Sequence, residues 1–268
     1  NQPSNSKFIF GPATWIRGLI KPDEGRAIAY IDWSQQELGI AARLSGDESM
    51  MEAYRSGDPY ITFARMAGAV PEDGTKQSHP VERSRYKQCM LAVQYGMGAG
   101  SLSLTAGLAL LDAKVLLQAH RDAFSDYWKW SELIERQGFG NGELRSTFGW
   151  RVLVDVDSRA ASVKNFPVQA NGAEMLRLAI MKMHTVGIQV IAPVHDAVMI
   201  EGASSEIETH TMKAQECMRW ASQQILPGFP LDSDAMIVNY PNRYMDEDRG
   251  TVMWNKVMEI VGAPLYTH

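Results

Sequence analysis

The run Ala27-Ile28-Ala29-Tyr30-Ile31 is apolar throughout and bounded by polar residues. A short, continuous apolar run is the pattern of a strand buried on both faces. A chain containing one must supply packing layers on either side of it. The run ends on Asp32, and helix-like sequence resumes after Gln35, Gln36 and Glu37. A carboxylate in that place is either a helix N-cap or a group with chemistry of its own. Position alone leaves both open.

With 268 residues, 45% of them apolar and 21% charged, the chain is long enough for one large domain or two closely packed ones. It has no apolar run of about 18 residues, and its opening, NQPSNSKFIFGP, lacks a basic segment leading into an apolar core. The expectation is a cytoplasmic protein with no signal peptide and no membrane partner. Cys89 and Cys217 are isolated from one another, which suits a reducing compartment. The net charge of −5, taken alone, argues against a nucleic-acid binder. Acidic residues gathered at a metal site and basic residues lining a groove would give the same sum.

No repeat or low-complexity tract interrupts the chain. Residues 48–68 read as helical with a break at SGDP, and 69–80 as a loop. VERSRYKQCMLAVQYGMG, 81–98, reads as a helix ending at glycines. Residues 112–137 read as one long helix carrying Phe124, Tyr127, Trp128 and Trp130, an aromatic group that suits a core better than a stacking platform. The pattern predicts a hairpin over 143–156 turning near Phe148-Gly149, and a helix over 158–185 kinked at Pro167. Two apolar runs in 187–202 meet at a turn holding His195 and Asp196; a helix near 204–225 and a strand near 235–239 follow. Helices mixed with antiparallel strands make an α+β architecture.

If the strands ending at Asp32 and preceding Asp196 are neighbours, both carboxylates meet at one sheet edge. Paired buried carboxylates repel and lose hydration, so they need a cation. Oxygen ligands favour Mg²⁺, which takes one or two carboxylates and completes its shell with water and phosphate. The plainer alternative makes Asp32 a cap and Asp196 a turn residue. On the 81–98 helix, at about 100° per residue, Arg83, Lys87, Met90, Leu91, Gln94 and Tyr95 share one broad face, with Tyr86, Cys89, Ala92 and Val93 opposite. Cations, a flat apolar patch and a ring suit the phosphates, base and sugar of a nucleotide; a solvated amphipathic helix is the alternative. His79, His120, His184, His210 and His268 share no zinc-ligand spacing. No GxxxxGK[ST] loop occurs. The 15 methionines read as packing, and Asp47, Asp155 and Asp157 as solvated or turn residues.

Four segments, in order, carry a resemblance. DWSQQELGIAARLSGD resembles motif A of the family A DNA polymerases, and RSRYKQCMLAVQYGMG their fingers helix, with its R, three residues, K, seven residues, YG. NFPVQANGAEMLRLAI is similar to the N-x-P-x-Q segment opening a palm helix, and PVHDAVMIE to motif C. The resemblance implies a right-hand palm built on an antiparallel sheet, with helical fingers, and it implies template-directed DNA synthesis. By its motifs, 1–47 and 141–268 are palm and 48–140 fingers; thumb and exonuclease are expected outside this chain, and a thumb or N-terminal segment is an expected partner. Asp32 and Asp196, with the Trp33 carbonyl, would hold two Mg²⁺ ions. Arg83 and Lys87 would grip the triphosphate, with Lys87 also a catalytic proton donor to the departing pyrophosphate. Leu91, Tyr95, Gln35 and Glu37 would contact the nucleotide, Glu37 as the gate against a ribose 2′-hydroxyl. Asn165, Gln169 and His195 would touch primer–template DNA, with deoxynucleoside triphosphates as the second substrate.

The chain departs from the family pattern at three positions. Gly39 stands where arginine is usual, Leu91 replaces an aromatic, and Ala197 follows the motif C aspartate in place of glutamate. Two other functions remain in view: a single-subunit phage-type RNA polymerase, against which Glu37 argues, and a silent DNA-binding remnant, against which the intact Asp32, Asp196, Lys87 and Arg83 argue.

Overall fold

A computed structural model describes residues 9–11 and 13–262. The NQPSNSKF opening and His268 lie outside the described residues. Elements run β1 Arg26–Trp33, α1 Gln36–Ser45, α2 Glu48–Arg55, α3 Pro59–Met66, α4 Pro80–Gln94, α5 Ala99–Ala106, α6 Leu110–Ala123 and α7 Ser125–Asn141. Then follow β2 Glu143–Arg145, β3 Arg151–Leu153, α8 Ala160–Thr185, β4 Gln189–Val194, β5 Ala197–Ala203, α9 Ile207–Ile225, β6 Ser233–Asn239 and α10 Thr251–Val261. Every described strand pair is antiparallel, so the α+β class expected from the sequence is the one adopted. No single described helix is long and apolar enough to cross a membrane.

The chain divides into two compact units. One comprises the segments up to Ser34, Met175–Gln224 and from Pro230 onward; the other comprises Gln35–Glu174 and Ile225–Phe229. The first is built on a four-stranded sheet in the order β4-β5-β1-β6. β1 is interior to the sheet, and Ala27, Ile28, Ala29, Ile31 and Trp33 are each at most 2% exposed, which is burial on both faces. Ile28, Met199, Val238 and Tyr244 form one core cluster, with Tyr30 stacked on Tyr244 at 5.4 Å between centroids. β4 and β5 are joined by the two-residue turn His195-Asp196. His195 takes φ +57, a left-handed conformation that side chains disfavour.

The second unit is mainly helical. The break read at SGDP separates α2 from α3, and Asp58 caps α3 by accepting from the Ile61 N–H at 3.2 Å, with Pro59 at the first helical position. Three expectations need correction here. Residues 112–137 do not form one helix: α6 ends at Ala123 and α7 restarts at Ser125, because Phe124 turns fully into the core at φ −127, ψ 56. Asp47 is neither solvated nor a simple turn residue. It is 3% exposed and accepts N–H groups from Met50, Asp126 and Tyr127, capping α2 and α7 together. Met90 belongs to the packed face of α4, not the open one, being 1% exposed.

Phe63, Tyr86, His120, Phe124 and Tyr127 form an edge-to-face aromatic core, as the sequence reading placed Phe124 and Tyr127. His120 is part of it; burial holds its imidazole down to about 3, and its Nδ1 accepts from Trp128 Nε1 at 3.0 Å.

The hairpin β2–β3 is braced from α8. The buried carboxylate of Glu174 accepts from Ser146 Oγ at 2.7 Å and from the Phe148 N–H at 3.3 Å, while Asn171 Oδ1 accepts from the Thr147 N–H at 3.0 Å. Substituting Glu174 by Ala takes the acceptor from the buried Ser146 hydroxyl and from the part-buried Phe148 N–H, an expected cost of about 2 kcal/mol. Urea unfolding would read it as a lower midpoint at constant slope. A midpoint equal to the parent's would mean that water replaces the carboxylate without loss.

Candidate functional site

In the first unit the site grows from sheet register. β1 and β5 pair with Asp32 opposite Ala197, so Asp196, the residue before Ala197, arrives beside Asp32. The Trp33 N–H donates to the Asp196 carbonyl at 3.3 Å and holds the turn against β1. On the other side β6 places Asp234 directly opposite Asp32, and Ser34 Oγ donates to Asp234 Oδ2 at 2.8 Å. Asp32 is not a helix cap: the residue before α1 is Gln35. Its Oδ1 is buried and has no hydrogen-bond partner among the described residues.

Burial, then the Asp196 carboxylate and a hydrogen bond with it, raise the Asp32 carboxyl well above the usual carboxylate range; His195 opposes and Asp234 adds to the rise. His195 Nδ1 lies 3.1 Å from Asp196 Oδ1, with the imidazole more than half exposed.

In the second unit two groupings of expected site residues form. Glu37, in the first turn of α1, accepts from Gln169 Nε2 of α8 at 2.6 Å, and the Tyr95 hydroxyl, at the end of α4, lies 3.5 Å from the same oxygen. Gln35, just before α1, takes φ +50. It and His195 are the two non-glycine residues with left-handed φ among the described residues, and both were candidates from sequence. Strained backbone of this kind gathers at functional sites.

Arg83 and Lys87, one turn apart on α4, form the second grouping. Both lie over the ring of Tyr60, at 5.3 and 5.6 Å from its centroid, and Arg83 Nε is ion-paired with Asp58. Leu91 is half-buried one turn further along α4. Asn165 meets the first grouping only through Gln169, with which it lines a shared pocket. It lines, with Gln94, Gly96 and Lys164, a cavity of about 290 Å³.

The sequence reading missed Asp58, Tyr60 and Asp234. Asp58 could have been flagged as a helix cap by the Pro that follows it, but nothing local marks it as the partner of a residue 25 positions away. Asp234 sits one residue before the expected strand began, so its place opposite Asp32 was invisible.

Among the described residues no group of three or more His, Cys, Asp or Glu side chains converges on a metal position. What the sheet edge offers is two neighbouring carboxylates with one buried oxygen lacking a partner. That donor set fits a hard cation that draws its remaining oxygens from water and phosphate. It does not suit the closed four-ligand sphere of structural zinc.

The comparisons with known proteins agree on one family. The model for DNA polymerase family A matches residues 12–238. The thermostable DNA polymerase I of Thermus aquaticus is 28% identical over 217 residues, covering 76% of this chain and 26% of the relative. The DNA polymerase of Mycobacterium phage D29 is 27% identical over 215 residues, covering 79% of this chain and 34% of the relative. This chain therefore spans about a quarter to a third of their length. Among solved structures, the POL domain of Pol1 from M. smegmatis, in complex with DNA primer-template and dNTP, superposes with a TM-score of 0.74 at 23% identity. That match covers 85% of this chain and 42% of the other, and it assigns this chain the POL-domain fold. With the family model spanning most of its length, the chain is a member of DNA polymerase family A.

Proposed function

We propose that this chain carries the nucleotidyl-transfer site of a template-directed DNA polymerase. The reaction joins the 3′-oxygen of a primer to the α-phosphorus of a deoxynucleoside triphosphate and releases pyrophosphate. The observation that carries the reading is the Asp32–Asp196 pair, whose buried Asp32 Oδ1 has no partner among the described residues. Asp32, Asp196 and the Trp33 carbonyl would hold two Mg²⁺ ions, which when bound stabilise negative charge on the attacking and leaving oxygens.

The chain's own residues supply the rest. Arg83 and Lys87 bind the triphosphate oxygens and oppose the charge that develops on them. Lys87 Nζ gives its proton to the departing pyrophosphate. Leu91 and Tyr95 offer the base and sugar an apolar surface, and Gln35 contacts the same nucleotide. Gln169, Asn165 and His195 touch primer–template DNA through its backbone and minor groove, since base pairing carries the sequence. In this reading 1–47 and 141–268 act as palm and 48–140 as fingers, and a thumb or N-terminal segment outside this chain completes the grip on duplex. DNA binding by the chain itself is then weak and falls steeply with salt.

The test is single-nucleotide extension of a labelled primer–template with Mg²⁺ at low salt. Extension that depends on Mg²⁺ supports the reading, and silence removes it.

Glu37, held by Gln169 at 2.6 Å, is the proposed ribose gate. Replacing it with Ala should raise the use of a ribonucleotide relative to its deoxy counterpart by about 10- to 100-fold, since a rigid clash is removed. An unchanged ratio would displace the gate from Glu37 and reopen the RNA polymerase alternative.

A further inference from the structure

On α4, Arg83 and Lys87 are the cations assigned above to the triphosphate, and an anion site made of two long, flexible side chains has an entropic weakness. Each loses rotamer freedom when the anion immobilises it. The second unit contains a device that meets this cost before binding. Asp58 closes the N-terminus of α3 with one carboxylate oxygen, accepting from Ile61 N–H at 3.2 Å, and pairs with Arg83 Nε through the other. The carboxylate is thus held at both oxygens, on a helix whose first residue, Pro59, has a fixed φ.

Two residues on, the part-buried Arg83 and the exposed Lys87 lie over the ring of Tyr60, which is itself 8% exposed and therefore fixed by its packing. Because Asp58 engages Nε, the two terminal nitrogens of Arg83 have no partner among the described residues. Lys87 likewise has no ion-pair partner there. A guanidinium anchored by Nε with its terminal fork open is the geometry for gripping two oxygens of one phosphate.

We propose that Asp58 and Tyr60, at the first turn of α3, are positioning residues that pre-order Arg83 and Lys87 for a phosphate-bearing ligand, Asp58 by fixing Nε and Tyr60 by offering its ring face to both cations. The proposal rests on the reading of Arg83 and Lys87 as the triphosphate grip. It makes a counterintuitive demand on the sign of one effect. Asp58 is negative, so if it only neutralised Arg83 its removal would strengthen the binding of an anion. If it positions Arg83, removing its charge weakens binding.

The experiment is a calorimetric titration of the intact chain with dATP and Mg²⁺ at low salt, as a double-mutant cycle. Asp58→Asn keeps a good helix-capping side chain and removes the charge, so folding is preserved while the ion pair is lost. Expected are a loss of affinity of about 5- to 20-fold for Asp58→Asn in the parent, and less than about 2-fold when Arg83 is already Ala, because a residue acting through Arg83 has nothing left to act on. Tyr60→Phe, which keeps the ring face, should stay close to the parent. Tyr60→Leu, of similar apolar bulk without the face, should lose about 3- to 10-fold.

Tighter or unchanged binding by Asp58→Asn overturns the positioning role. Equal losses in the parent and in Arg83→Ala overturn it too, showing Asp58 to be structural. Equal behaviour of Tyr60→Phe and Tyr60→Leu removes Tyr60 from the device. If the parent binds no dATP, or Arg83→Ala and Lys87→Ala bind it as the parent does, the phosphate-grip reading itself is what fails.

Discussion

Asp196→Asn is expected to lower single-nucleotide extension by about 1,000-fold or more while leaving the fold intact. Asn matches Asp in shape but removes the charge that, with Asp32, would hold a cation in the proposed reaction. Stabilisation of the transferring phosphoryl group by a bound metal is worth several kcal/mol, and about 1.4 kcal/mol corresponds to each factor of ten in rate. Primer extension under saturating Mg²⁺ reads the effect. A variant within about tenfold of the parent would mean that the chemistry does not depend on this pair.

The companion substitution at Asp32 should separate chemistry from stability. The Asp32 carboxyl is raised to about 7, chiefly by burial and then by Asp196. A carboxyl whose pKa is higher folded than unfolded takes up a proton on folding. Its contribution is fully present below the unfolded value of about 4 and is lost as pH rises through about 7. In the absence of divalent cations, Asp32→Asn should therefore melt at a higher temperature than the parent at pH 8 and at the same temperature at pH 4, where the parent's carboxyl is already neutral. Equal melting at pH 8 would show that the folded protein carries the charge pair without penalty.

Asp47→Ala is expected to be the most damaging change to stability outside the site, by about 3–4 kcal/mol. The side chain accepts three N–H groups: Met50 at 2.9 Å, Asp126 at 3.1 Å and Tyr127 at 3.0 Å. Loss of one cap costs about 1 kcal/mol, and a donor left buried and unpaired costs about 1–3 kcal/mol more. Here two helix N-termini lose their acceptor together, along with a negative charge that favours both dipoles. Asp47→Asn, which keeps one strong acceptor, should recover about half of the loss. Denaturant midpoints at constant slope would measure both variants. A cost below about 1 kcal/mol for Asp47→Ala would indicate that the starts of α2 and α7 find other acceptors.

Asp47 also shows where sequence reading stops. Its role at α2 is local, three residues away, and an aspartate before Glu48 is a recognisable cap. Its role at α7 joins residues about 80 positions apart, and no propensity or periodicity contains that information. The division of α6 from α7 has the same origin. Phe124 is neither Gly nor Pro, yet the helix breaks there because its ring is required in the core and Asp47 stands ready to cap the restart. Met90 fails differently. A helical wheel assumes one buried face, but α4 packs against α3, α5 and α6, so more of its circumference is covered than a two-faced reading allows.

What the sequence determined by itself was the local chemistry. A buried strand ends on Asp32, a tight turn presents His195 and Asp196, and a helix carries Arg83 and Lys87 one turn apart. Each of these depends only on residues a few positions away, where the 2.0 and 3.6 periods and the preferences of turns operate. Tertiary structure alone decided the partners. The antiparallel register of β1 with β5 and β6 brought Asp196 and Asp234 to Asp32. Packing among the helices brought Asp58 and Tyr60 to Arg83, and Gln169 to Glu37. Such pairings are selected by the burial of whole strand and helix faces at once, a property of the folded layers that no single segment carries.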